Sequence, residues 1–232
     1  MSLPLASMQN DLSSKDLSDC DPVKVMVLRN VTVEQMEIPL VWHFSKYDRQ
    51  GIVKFGGYHN ILEDSEELAK FEPDLVVVVY FLEALHERVV NAYASIDNVA
   101  SLSDEILSEL SFLFGSIRAR PNAAISWVLF NLPNYTAFGV GDSMLSGGQR
   151  RFVRDLNDRI LEWLKKDVKS IAIESDANLQ SLGEKAYYDR RFWNLAQAPF
   201  TFEALSRMAD NSVAVWSGFN GANRKCLVLD CD

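Results

Sequence analysis

Apolar residues in this chain recur with two periods, and the two alternate along its length. Short apolar runs predict strands at 23–28, 51–55, 75–81, 124–131 and 168–173, and the run 75–81, apolar on both faces and β-branched, is expected to be central and parallel. Between them, helical spacing predicts helices. One follows Thr32, a candidate N-cap, with Val33, Met36, Leu40, Val41 and Phe44 on its apolar stripe; Pro39 marks a bend or an irregular start. Others are predicted over 65–71, over 81–118 in two pieces broken near Asp97 and Asn98, and over 149–166, with Phe152, Leu156 and Ile160 on one stripe. Thr201 is expected to cap a short helix over 202–210. Gly56 to Asn60 reads as a glycine loop that allows close backbone approach to a ligand, and 132–148 as a long loop. Strand and helix alternate about five times, with no internal repeat. The expected product is an α/β fold, a three-layer αβα sandwich around a mostly parallel sheet of about five strands.

Composition narrows the class of function. Hydrophobic residues make up 48% of 232 positions, enough for a large core, and the net charge is −9. A dedicated nucleic-acid binder usually carries a basic surface, so that class is excluded. No apolar stretch approaches the ~20 residues of a membrane span, so no membrane partner is expected. Residues 1–21 are polar and lack the basic and apolar regions of a signal peptide; they read as a disordered tail. Cys20, Cys226 and Cys231 are odd in number and show no metal-type spacing, which suits a reducing cytoplasm.

The most distinctive stretch is Arg224-Lys225-Cys226-Leu227-Val228-Leu229-Asp230-Cys231-Asp232, an apolar run closed by two aspartates one residue apart. Leu227 and Leu229 would face one side of a strand, Cys226 and Val228 the other. In open α/β folds, chemistry sits at the carboxyl ends of such strands. The run resembles the first motif of the haloacid-dehalogenase (HAD) phosphohydrolases. That resemblance implies Asp230 as the nucleophile that becomes an aspartyl-phosphate and Asp232 as general acid/base. Both would stand at a Mg²⁺ ion that screens the phosphate charge. The family's later motifs are not in this chain, so Mg²⁺ is expected only where the HAD domain is complete.

The wider chain resembles the amino-terminal region of FkbH-like proteins, which join an SGNH-hydrolase-like α/β domain to a HAD domain. The stretches that carry the likeness are Arg29-Asn30-Val31-Thr32, Phe55-Gly56-Gly57-Tyr58-His59-Asn60, Phe71-Glu72-Pro73-Asp74, Tyr188-Asp189-Arg190-Arg191-Phe192-Trp193 and the terminal run. The resemblance implies an SGNH/flavodoxin-like domain over 22–210, a linker over 211–223 and, over 224–232, the first strand of a truncated HAD domain. It also implies glyceryl transfer to an acyl carrier protein, with the carrier and an own or separate HAD domain as partners.

SGNH hydrolases need an activated serine after the first strand, an oxyanion donor after the third and an Asp-x-x-His block near the end. Here those places read Arg29-Asn30-Val31-Thr32, Val79-Tyr80-Phe81-Leu82 and Asp189-Arg190-Arg191-Phe192. The serine, the donor and the histidine are each missing. The histidines are His43, His59 and His86, all in the first half. A literal Gly141-Asp142-Ser143 lies after the fourth strand and reads as a turn. A non-catalytic docking or positioning domain is therefore the leading expectation. The alternatives are an esterase using Thr32 or Ser143, or a phosphatase acting through Asp230 and Asp232. Asn30, Thr32, Gly57, His59, Asn60, Asp189, Arg190 and Arg191 are the positions expected to contact a ligand or partner. The two arginines would either grip an anionic group or form salt bridges at a helix end. Trp127, Phe130, Trp193 and Phe200 read as core, the last two as candidates to pack on a second domain.

Overall fold

The computed structural model describes residues 3–58, 60–85, 89, 99–120 and 122–222. Five strands form one all-parallel sheet: β1 (Asp21–Arg29), β2 (Arg49–Tyr58), β3 (Leu75–Val79), β4 (Ala124–Val128) and β5 (Ser170–Ile173), in the order β2-β1-β3-β4-β5. That is the flavodoxin-like order, whose direction reverses between β1 and β3. Register is held at the centre, where Val25 lies opposite both Val53 and Leu75.

Strand alternation divides the core in two. Met26, Leu28, Val76, Val78 and Trp127 face one side and meet α3 (Ile61–Phe71), α5 (Val99–Arg118) and α6 (Gln149–Leu164). Val25, Val27, Leu75, Val77 and Val79 face the other, against α2 (Glu37–Ser45) and α10 (Phe202–Phe219). The three-layer sandwich expected from the alternating pattern is the fold observed. Short helices complete it: α1 (Leu5–Ser13), α4 (Leu82–Leu85), α7 (Ser175–Leu182), α8 (Glu184–Tyr187) and α9 (Arg190–Ala196). The expected helix break near Asp97 and Asn98 lies outside the described residues.

Several local expectations are corrected. Residues 5–13, expected in a disordered tail, form α1. Met8 is buried against the body, and Asp11 Oδ2 accepts from Trp42 Nε1 at 2.7 Å. The stretch after residue 210, expected as a linker, is the second half of α10, with Val213 and Trp216 buried. Its small polar residues pack instead of looping: Ser212 and Ser126 share a hydrogen bond of 2.9 Å inside the core. Thr32 does not cap α2; a 3₁₀ turn over Glu34–Met36 intervenes, and Pro39 falls in the first turn of α2, where its missing N–H costs nothing. Gly56 and Gly57 are not loop residues but the end of β2.

Candidate functional site

Two neighbouring features occupy the carboxyl edge of the sheet. The first is a polar cluster where β1 and β2 end. Arg29 is buried, stacks over the Tyr58 ring at 4.1 Å and pairs with Glu34 at 2.6 Å. Tyr58 also donates to Glu34, at 3.0 Å. Burial is the largest single influence on Glu34 and pushes its pKa up, but the hydrogen bond from its own backbone amide, then the Tyr58 hydrogen bond and the charge and hydrogen bond of Arg29, together bring it below the usual value. Asn30 Nδ2 donates to the Phe81 carbonyl at 2.9 Å, and its Oδ1 accepts from the Phe81 amide at 2.7 Å. The Asn30 amide thus ties the exit of β1 to the exit of β3. Thr32 Oγ1 donates to the Ala196 carbonyl at 2.7 Å, and the Thr32 amide donates to Gln197 O at 2.9 Å. These bonds pin the end of α9 over the cluster.

The second feature is a cavity of about 550 Å³ beyond β3 and β4, roofed by α9. Its walls are aromatic. Phe81 meets Trp193 edge-on at 4.9 Å and Phe200 at 5.7 Å, and Tyr188 stacks on Phe200. Tyr188 Oη donates to Asn131 Oδ1 at 2.8 Å, and Asn131 in turn donates to Asp176 at 3.1 Å. Burial, with Tyr187 and the nearby acids, pushes the Tyr188 phenol far up, so it stays a neutral donor. Glu83 opens into the same space, and burial raises its pKa against the opposing pull of Arg190.

The expected site residues divide. Asn30 and Thr32 lie in the polar cluster, and Asp189 and Arg190 at the mouth of the cavity. Asp189 caps α9, accepting from the amides of Arg191 and Phe192. Arg190 pairs with Glu184 at 3.2 Å and lies over the Tyr135 ring; Arg191 is exposed. Gly57 and Asn60 have structural partners. The Gly57 amide donates to buried Asp64 at 2.7 Å, and Asn60 caps α3. A Cβ at Gly56 would stand 2.5 Å from Asp64 Oδ1, so this glycine admits the carboxylate of its own chain. Asp142 does the same work for α6, accepting from the amides of Gln149 and Arg150, while Ser143 is exposed with no base beside it among the described residues. His59, His86, Asp230 and Asp232 lie outside the described residues.

His43 sits near the end of α2, which runs back from the carboxyl end of β1 to the start of β2, so it lies at the opposite edge, 3.1 Å from Asp210. Among the described residues no cluster of His, Cys, Asp and Glu is placed to hold a metal ion, and no helix is long and apolar enough to cross a membrane. Sequence reasoning missed Glu83 and did not foresee Trp193 as a cavity wall. Nothing in a 3.6-residue period distinguishes an acid that faces a cavity from one that faces water.

The fold defines an open, doubly wound α/β protein of flavodoxin-like strand order. No model of a known protein family matches the sequence, and no curated protein matches it. Among solved structures it is similar to the crystal structure of the N-terminal part of the protein BF1531 from Bacteroides fragilis, described as containing a phosphatase domain and complexed with Mg. The TM-score is 0.82 at 12% identity, over 100% of this chain and 61% of that one. The chain therefore spans less than two thirds of its neighbour, and the likeness is one of fold.

Proposed function

We propose that this chain is a non-catalytic α/β domain that works beside a HAD-type, Mg²⁺-dependent phosphoryl- or glyceryl-transfer module, docking a partner or positioning that module. One observation carries the reading. After the first strand, where an SGNH hydrolase keeps its nucleophile, Asn30 and Thr32 spend their polar atoms on Phe81, Ala196 and Gln197 of the same chain. A hydroxyl that donates to a carbonyl, with no base beside it among the described residues, stays a weak nucleophile. The structural neighbour, a chain that includes a phosphatase domain and carries Mg, supports the pairing of such a fold with phosphate chemistry. The described residues do not fit a Mg²⁺ site, so in this reading the ion belongs with Asp230 and Asp232 and the remainder of a HAD domain. The acyl carrier protein enters as the partner that the FkbH-like resemblance implies.

The test is an activity profile of the purified chain. No turnover of p-nitrophenyl acetate or butyrate is expected, and no difference between the wild type and Thr32→Ala. A robust esterase rate abolished by Thr32→Ala overturns the reading. The 232-residue chain is also expected to leave p-nitrophenyl phosphate intact with Mg²⁺ present. A rate lost in Asp230→Asn would place the chemistry in this chain instead.

A further inference from the structure

Among the side chains that open into the carboxyl-edge cavity, Glu83 is the acid without a hydrogen-bond or ion-pair partner among the described residues. Its charged neighbour, Arg190, is already paired with Glu184 at 3.2 Å and lies over the Tyr135 ring at 5.6 Å. Asp189 also stands at the mouth, its Oδ1 turned to the first amides of α9. Among the described residues that line it, three acids stand against one arginine, so that part of the cavity is negative. Ring systems line the same cavity: the Glu83 charge acts on Tyr188, and Phe81 and Trp193 meet edge-to-face at 4.9 Å, both only partly buried.

These facts discriminate between ligand classes. An anion would meet Glu83 and Glu184 with its own sign. A neutral apolar molecule would strip water from the Glu83 carboxylate and give nothing back, which is costly for a charge. A cation is attracted by the carboxylate and by the faces of the aromatic rings at once. The space, about 550 Å³, lies within the range of small-molecule sites, so the cation has room for an attached apolar or polar body. We propose that this cavity binds an organic cation, an amine or quaternary ammonium head group held between the Glu83 carboxylate and the rings of Phe81, Tyr188 and Trp193. This site is independent of the docking role, and neither esterase nor phosphatase assays bear on it.

Choline and its neutral isostere 3,3-dimethyl-1-butanol are the probes, titrated into the purified chain by calorimetry. Choline is expected to bind saturably and the isostere at least about tenfold more weakly, the size of one desolvated cation–ring or ion-pair contact. Glu83→Gln, with its fold checked by circular dichroism, is expected to lower choline affinity about tenfold as well. Choline affinity should also fall as the medium is acidified and Glu83 takes up a proton, a loss that its raised pKa brings closer to neutrality. Equal binding of the isostere, undiminished choline binding by a folded Glu83→Gln, or no saturable choline binding at all would each overturn the proposal.

Discussion

Asn30 shows how a polar residue at the exit of a central strand becomes architecture. Its primary amide is a donor and an acceptor at fixed spacing, which matches the N–H and C=O of one backbone residue. Phe81 presents that pair just beyond β3, 51 positions further on. Both strand exits are thereby held together at the switch point, where an open α/β sheet usually opens to a ligand. Removing the amide leaves two partly buried backbone groups unmet. Asn30→Ala is expected to cost about 1–3 kcal/mol, read as a lower urea midpoint with an unchanged slope. Asn30→Asp keeps the acceptor but loses the donor, and is expected to fall between. No shift in the midpoint of the alanine variant would mean that the clamp contributes nothing. The sequence flags Asn30 by its place after the first strand. That its partner is its own backbone follows only from strand order.

Elements are legible where periodicity is strong and misread where polar residues break it. α6 is legible to within two residues at its end because its stripe is regular. The second half of α10 reads as a linker because Asn211, Ser212 and Ser217 look like turn residues. Packed on the sheet, small hydroxyls bond back to the helix, as Ser212 does to Met208 O at 2.7 Å. α1 reads as tail because only Met8 is well buried, and one residue makes no period. The α2–α10 contact carries a pH dependence. Burial lowers the His43 pKa from 6.5 to about 4, with Asp210 opposing and Lys46 and Arg207 adding to the fall. The unfolded chain therefore binds this proton more readily than the folded one. The stability tied to neutral His43 is complete above about pH 6.5 and is lost progressively as pH drops towards 4. Urea midpoints at about pH 7.5 and about pH 5, on either side of the unfolded-state pKa, should separate more for the wild type than for His43→Gln. Equal separations would place the acid sensitivity elsewhere.

At the scale of the molecule, both hydrophobic cores are built on the same central strands. Val76 and Val78 face one core, while Leu75, Val77 and Val79 face the other, so neither core survives loss of β3. Unfolding is expected to be one cooperative step, with tryptophan fluorescence and far-ultraviolet circular dichroism giving coincident urea curves. Separate transitions would show that one layer is an independent unit. The order of strands and helices and the αβα layering were set by local sequence, because side-chain period is a local property. The aromatic cavity, the opening of Glu83 into it, and the turning of Asn30, Thr32 and Gly56 towards their own chain were decided by the tertiary structure. Each depends on atoms brought together from distant segments, and no local pattern encodes such a distance.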